Sequence, residues 1–213
     1  MESRVRGGTR WKRFAVVMVP SVAAAAAVGV GLAQGALAAS FSVSGQQFKV
    51  TVDHLHGEGF AQYGGIDTVY TSTEGKKKTQ VPVAISSFDD ATLTNMCQSV
   101  KTEIPVLNKT FYLRLEAGNK GKAVEAKNLY IDVAQLDADA EFKNIDIGVA
   151  VQDKTRGPAV KDDKTTQPGG FAQQAETADL YGVEQTAWAT TAGTFKLSGL
   201  SMKLGADPKM ECY

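Results

Sequence analysis

Histidine and cysteine are scarce in this chain of 213 residues, which has two of each, and only 6 prolines occur beside 21 glycines. Two histidines leave little material for histidine-dependent catalysis or for a histidine-rich metal site. The few prolines exclude collagen-like and proline-rich architectures. The 23 basic and 23 acidic side chains cancel, so nucleic acid is not an expected partner. The hydrophobic fraction of 43% is enough for a folded core.

The N-terminal segment has the pattern of an export signal. Residues 1–13 contain five basic side chains and only Glu2 as an acid, and the stretch from Phe14 to Ala33 carries no charge. The tripeptide Ala36-Leu37-Ala38 places small residues at the two positions that a signal peptidase recognises, so we expect cleavage after Ala38. The alternative is an uncleaved membrane anchor, since about twenty apolar residues suffice to span a bilayer. In both cases the body is expected outside the cytoplasm, either secreted or associated with the envelope or membrane.

Residues 39–213 are predicted to form a single β-rich extracytoplasmic domain with 18 basic and 22 acidic side chains, a net charge near −4. Phe48, Val50 and Val52 alternate with polar residues, which is the two-residue period of a half-buried strand. The segment 153–170 is charged, contains glycine and proline, and has no period, so it is predicted to be an exposed loop.

One short amphipathic helix is predicted over about 89–103. Leu93, Met96, Cys97 and Val100 are spaced by three, four and seven residues, which places them on one helical face. The expected fold class is therefore mainly β, an antiparallel sandwich or a curved barrel-like sheet, with this single helix after the N-terminal signal or anchor helix.

Cys97 and Cys212 both lie in the part of the chain that is expected outside the cell. An oxidising exterior favours a disulfide between them, which would constrain the C-terminus. A buried free thiol at Cys97 and an intermolecular bridge through Cys212 remain open at this point. Neither cysteine has the sequence surroundings of a nucleophile.

The only candidate metal ligands are His54, His56 and Glu58, which are spaced by two residues and lie on one face if a strand continues through them. The alternative is a polar strand end that enters a glycine-rich turn. No cofactor is expected, because no phosphate-binding or dinucleotide fingerprint occurs. A calcium site is not predicted either, and a group of acidic residues is instead expected to lie in solvent on the outer faces of strands. The group consists of Asp132, Asp137, Asp139, Glu141 and Asp146.

No catalytic residue can be assigned from motifs. A serine hydrolase would need His54 or His56 as its base, with Asp53 or Asp67 as a partner, and a nucleophilic serine. The Gly-x-Ser-x-Gly motif that would hold such a serine on a tight turn is absent from the chain. Enzymatic activity is therefore the minority interpretation.

Several features together resemble a known family over nearly the whole length. They are the Arg-rich start with its Ala-rich signal, the opening strand from Phe41 to Val52, Asp89-Asp90-Ala91, the strand run from Leu129 to Val151 and the two cysteines. The chain resembles a family of exported actinobacterial (Streptomyces-type) proteins of unknown function, whose members are often labelled cholesterol esterase. The resemblance implies export from a Gram-positive cell, and the label would imply a cholesterol ester hydrolase without identifying its catalytic residues here.

Three functions from different classes follow. The first is either non-catalytic binding of an apolar ligand such as a lipid or a sterol, or a structural role in the cell envelope. Apolar strand faces, the most abundant feature of the sequence, favour this interpretation. The second is the lipid-ester or cholesterol-ester hydrolase of the family label. The third is a self-assembling surface protein with exposed edge strands. The expected partners are a lipid or sterol ligand and a membrane contacted through the N-terminal segment.

Overall fold

The computed structural model describes residues 44–71, 75–104, 108–161 and 164–213, which belong to one compact unit. The predicted signal peptide or anchor, residues 1–38, lies outside the described residues. In the described part of the chain, no helix combines the length and the apolar character needed to cross a membrane.

The described chain is mainly β, as predicted, and its regular elements are nine strands and two short 3₁₀ turns, Val151–Asp153 and Pro208–Met210. The strands are β1 (Phe48–Tyr70), β2 (Lys78–Thr94), β3 (Met96–Ile104), β4 (Lys109–Ala117), β5 (Val124–Lys143), β6 (Asp146–Ala150), β7 (Phe171–Thr191), β8 (Thr194–Lys196) and β9 (Ser201–Gly205).

Four long strands are hydrogen-bonded in a closed ring. β1 pairs with β2, β2 with β5, β5 with β7 and β7 again with β1, and all four pairings are antiparallel. The ring is not a regular barrel, because β3, β4 and β9 extend the sheet from the start of β1, while β6 adds to β7 and β8 to β5. The predicted curved antiparallel sheet is therefore confirmed in its general form.

The predicted helix over 89–103 is wrong, since this segment forms the end of β2 and most of β3. Asn95 lies between the two strands with a positive φ of 50°, a conformation that asparagine tolerates better than most residues. Leu93 and Met96 are both buried although they are three positions apart, an odd spacing that would place them on opposite faces of a regular strand. The interruption at Asn95 thus shifts the alternation of buried residues, and the resulting spacing of apolar residues resembles that of a helix.

The interior of the ring is filled by side chains from all four strands. Leu55 on β1 lies opposite Leu180 on β7, and the two are buried together with Phe88, Leu129 and other apolar residues of one large cluster. A second cluster around Tyr63 packs against Val160, a residue of the segment that follows β6. That segment therefore covers a part of the sheet that would otherwise face solvent.

The C-terminus crosses the outside of β3 and β4 and is held there by a disulfide between Cys97 and Cys212. The Cys212 backbone N–H donates to Ser99 Oγ at 3.1 Å, and the Arg114 guanidinium donates to the backbone carbonyl oxygen of Glu211 at 3.0 Å. The predicted disulfide is confirmed, and the described residues contain no free cysteine. The bond fixes a segment that has little regular structure of its own.

Candidate functional sites

A cavity of about 140 Å³ lies inside the ring, and its walls are mostly apolar. Gln62, Ser86 and Gln185 supply the polar groups of the wall. The apolar lining consists of Leu55, Phe60, Phe88, Ile131, Leu136, Ala138, Ala140, Phe142, Leu180 and Val183. Apolar walls with a few polar groups are the usual composition of a site for a small organic ligand.

The far half of β5 leaves the cavity open on one side. β2 pairs with β5 only as far as Val133, so the segment from Leu136 to Phe142 keeps β7 as its strand neighbour. Along this segment Ala138 and Ala140 line the cavity and are also exposed. A ligand would therefore reach the interior of the ring past these two alanines.

Hydrogen bonds fix the polar wall of the cavity. The Gln62 amide donates to Ser86 Oγ at 2.9 Å, and its oxygen accepts from the Gln173 amide at 2.7 Å. The packing of Phe88 in the apolar wall depends on Gly57, because a Cβ there would lie 2.2 Å from the Phe88 ring. Only glycine lets Phe88 pack this close to β1 and shape the cavity.

A second site lies on the outer face of β1, where two imidazoles meet one carboxylate. His54 Nε2 and His56 Nδ1 are each 2.8 Å from Oδ1 of Asp179 on β7. The Tyr181 ring stacks on the His54 ring with centroids 4.5 Å apart and planes 4° from parallel. Burial alone would raise the pKa of Asp179, but hydrogen bonds from His56 and His54 outweigh it and hold that pKa below its usual value.

The structure joins two of the three predicted metal ligands, His54 and His56, but through Asp179 and not through Glu58. Glu58 is exposed and lines a shallow depression beside His56, and within the described residues no hydrogen bond links it to either imidazole. In the same part of the chain, no group of three or more His, Cys, Asp or Glu side chains is arranged to hold a metal ion. The metal site at His54, His56 and Glu58 stays a prediction.

A third polar cluster lies under the segment between β6 and β7. The side chain of Asp132 on β5 is fully buried and forms an ion pair with Lys161, whose side chain is 17% exposed. Asp67 on β1 is close enough that burial, together with the charge of Asp132, raises its pKa to about 6. Burial likewise raises the pKa of Tyr63 to about 12.

The expectation that Asp132 is solvated on an outer strand face is wrong. Asp132 lies opposite Ile85, which lies opposite Tyr63, so the three side chains form a row across β5, β2 and β1. The segment with Lys161 covers this row, because the Lys161 backbone N–H donates to the Tyr63 hydroxyl at 3.0 Å. The other four acidic residues of that group are exposed as predicted: Asp137, Asp139, Glu141 and Asp146.

The architecture defines an all-β protein closed by one disulfide, with a ring of four strands around a small apolar cavity. The chain belongs to a protein family of unknown function, DUF6230, whose model matches residues 44–213. No curated protein and no solved structure matches the chain. Functional inference therefore rests on the sites themselves.

Sequence patterns could not have indicated the partners that complete these sites. The His-x-His spacing identified the two imidazoles, but Asp179 lies 123 residues beyond His56 and has no local motif. Lys161 is one of several lysines in a polar segment, and Asp132 is one of several acids in a strand-rich stretch. Only the ring topology and the segment that crosses it bring these groups together.

Proposed function

We propose that the protein binds one apolar chain or a similarly small apolar ligand in the ring cavity, without catalysis, at the exterior of the cell. The observation that carries this proposal is the open apolar cavity of about 140 Å³ with its wall of hydrogen-bonded amides. The Cys97–Cys212 disulfide is compatible with an extracellular location and supports the expected export.

The size of the cavity favours part of a lipid over a whole sterol. Pockets that enclose drug-sized ligands measure roughly 300–1,000 Å³, and a cavity of about 150 Å³ accommodates benzene. A volume of about 140 Å³ therefore suits the end of an acyl chain, whose polar head remains outside near Ala138 and Ala140. The binding energy would come from burial of methylene groups, at about 0.8 kcal/mol each.

Binding can be tested with a fluorescent fatty acid titrated into the purified full-length chain. The variant Ala140→Phe places a ring in the mouth of the cavity and should weaken binding at least about tenfold, or roughly 1.4 kcal/mol. The matched control is Asp139→Phe, which adds the same ring to an exposed neighbour that does not line the cavity. It should bind like the wild type. No saturable binding by the wild type, or equal effects of the two variants, would refute the proposal.

A lipid-ester hydrolase, the activity of the family label, is the second candidate. A histidine hydrogen-bonded to a carboxylate is the usual arrangement of a catalytic base and its orienting group, and His54 and His56 both have it. However, Leu55 between them lines the cavity, so the alternation of β1 directs the imidazoles to the opposite face. The double variant His54→Ala/His56→Ala should lose esterase activity if one of these histidines is the catalytic base, and full retention of esterase activity would exclude the histidine-dependent hydrolase.

Self-assembly is a third candidate, favoured by the edge strand β9. Met202 and Leu204 are 65% and 73% exposed, and within the described residues β9 pairs only with β4. An apolar strand with one unpaired edge is a common site of association between sheets. Light scattering over a wide range of concentrations should then show oligomers that Leu204→Lys abolishes, whereas a monomer at all concentrations would exclude this candidate.

A further inference from the structure

An amine and two carboxyl groups lie together under the segment that crosses β1 and β5. Lys161 Nζ is in ion-pair contact with Asp132 Oδ2, and the side chain of Asp132 has no exposed surface. Asp67 lies on the adjoining part of β1, where the charge of Asp132 acts on it. The three groups come from separate parts of the chain, so only the folded protein assembles them.

The backbone that leads into Lys161 is anchored. The Tyr63 hydroxyl accepts from the Lys161 backbone N–H at 3.0 Å, and the Tyr130 hydroxyl donates to the Ala159 carbonyl oxygen at 2.8 Å. Val160 packs into the apolar cluster around Tyr63. These contacts hold the amine against the carboxyl group and limit its freedom to turn towards solvent.

Two buried oxygens in this cluster have no hydrogen-bond partner among the described residues, Asp67 Oδ2 and Asp132 Oδ1. Two carboxylates cannot satisfy one another without a proton, since both would only accept. A proton shared by the two carboxyls provides the missing donor. Burial raises the pKa of Asp67 to about 6, in keeping with a group that holds and releases a proton near neutral pH.

We propose that Lys161 and Asp132 condense to an intramolecular amide bond, and that Asp67 transfers the protons this reaction requires. The shared proton lies on Asp132 in this reaction, so Asp67 is a carboxylate and takes one proton from Lys161, which becomes a neutral amine. The amine lone pair attacks Cγ of the protonated Asp132 carboxyl, and the new N–C bond forms as the C=O double bond opens. Asp67 then gives its proton to the Asp132 hydroxyl, whose bond to Cγ breaks to release water as the C=O double bond forms again, and Asp67 takes the surplus proton from the nitrogen.

The atoms and charges of this step balance without any further reagent. An ammonium group, the protonated Asp132 carboxyl and the Asp67 carboxylate become a neutral amide, one water molecule and a protonated Asp67, so the net charge is zero before and after. The fixed contact between amine and carboxyl supplies the proximity that makes such intramolecular reactions fast. The product also replaces a buried charge pair, which is costly to desolvate, with a neutral group.

The amide would connect β5 covalently to the segment between β6 and β7. Residues 132 and 161 are 29 positions apart, so the bond closes a second large loop beside the one closed by the disulfide. The segment that covers Tyr63 would then stay in place even when the surrounding hydrogen bonds open. A permanent covalent link of this kind suits a protein that functions outside the cell.

Peptide mapping of the purified, reduced full-length chain tests the proposal. Trypsin should release residues 128–143 joined to a peptide that contains Lys161, with a mass lower than the sum of the two peptides by one water molecule. Fragmentation should place the link between Asp132 and Lys161. A wild-type map in which residues 128–143 appear only as a linear peptide would overturn the proposal, and so would loss of water within that peptide alone, which indicates a succinimide.

Three variants assign the roles. Lys161→Arg keeps the positive charge and the ion pair but removes the amine, so the joined peptide should disappear. Asp67→Asn keeps the shape of the side chain but cannot transfer the protons, so linear peptides should dominate, and an undiminished link would refute the role of Asp67. Lys154→Arg is the matched control, because Lys154 lies in the same segment and bonds to the Gly157 carbonyl oxygen, and it should leave the link intact.

Discussion

The two charged clusters of this protein contain similar groups in different surroundings. On the outer face of β1, Asp179 accepts from two histidines and its side chain is 13% exposed. Under the segment that follows β6, Asp132 contacts Lys161, and its side chain has no exposed surface. Both clusters join a carboxylate to basic groups from distant parts of the chain, so burial is their main difference.

Burial changes what each cluster can do. Water can reach the imidazoles that bond to Asp179, so it competes with these hydrogen bonds and weakens them. The Asp132 side chain has no exposed surface, so water screens its ion pair with Lys161 only weakly, and the loss of either member leaves a buried charge without a partner. We therefore expect stability to depend weakly on the carboxylate of the first cluster and strongly on that of the second.

The largest expected effect is that of Asp132→Ala. Lys161→Arg is the reference, because it keeps the ion pair and cannot form the amide. Relative to that chain, Asp132→Ala leaves a buried lysine without its carboxylate, and we expect its free energy of unfolding to be lower by about 3–5 kcal/mol. Urea denaturation followed by tryptophan fluorescence measures the change. A loss below about 1 kcal/mol would show that water reaches the pair and would remove the contrast with Asp179.

A paired substitution provides the control for this prediction. Asp132→Leu/Lys161→Met removes both charges and retains similar volumes, so it should be considerably more stable than Asp132→Ala. If the two variants are equally unstable, the loss comes from packing at position 132 and not from the unpaired lysine.

The next effect is a pH dependence at Asp67. Its pKa is raised to about 6, mainly by burial, so between about pH 4 and 6 the native state binds more protons than the unfolded state. The contribution of Asp67 to the free energy of unfolding is therefore greatest at low pH and declines as the pH rises through 6. Because the side chain is only partly buried, the expected decline is on the order of 1 kcal/mol.

This pH dependence is best measured in the Lys161→Arg chain, in which Asp132 cannot form an amide. The free energy of unfolding of that chain should fall between pH 4 and pH 7 relative to Lys161→Arg/Asp67→Asn. Parallel curves for the two chains would show that Asp67 titrates as an ordinary exposed carboxyl group.

The fold could be predicted in outline because alternation is a local signal. The period of Phe48, Val50 and Val52 correctly indicated a strand, and the two cysteines correctly indicated their pairing. The helix over 89–103 was wrong because Asn95 interrupts the alternation with a positive φ, which no pattern of apolar residues reveals. Closure of the ring by β1 and β7 joins residues more than a hundred positions apart and has no local signal at all.

The sites were predictable to a smaller extent. His54 and His56 were found because they are rare and closely spaced, but their partner Asp179 depends on the register between β1 and β7. Asp132 was expected in solvent because its neighbours on β5 alternate, and only the covering segment around Lys161 reverses this expectation. Sequence reasoning thus identified the exposed cluster in part and missed the buried one.

A smaller effect is expected for Asp179→Ala at the exposed cluster. The variant removes two hydrogen bonds from His54 and His56, but water can replace the carboxylate on these half-exposed rings. The free energy of unfolding should therefore fall by only about 1 kcal/mol. A loss as large as that of Asp132→Ala, measured in the same urea titration, would show that the greater exposure of the Asp179 cluster does not reduce its contribution to stability.

The smallest effect is the acid dependence of Asp179. Its two histidine hydrogen bonds lower its pKa below the unfolded value, so the stability it contributes is present above about pH 4 and is lost as pH falls through the lower native value. The difference in unfolding free energy between the wild type and Asp179→Asn should be under about 1 kcal/mol at pH 7 and should shrink below pH 4. Lys49→Gln is a suitable comparison, since it breaks another partly exposed ion pair, with Glu211, on a different part of the surface. A difference at Asp179 that grows on acidification would have the opposite sign and would show that the histidines do not stabilise the ionised carboxylate.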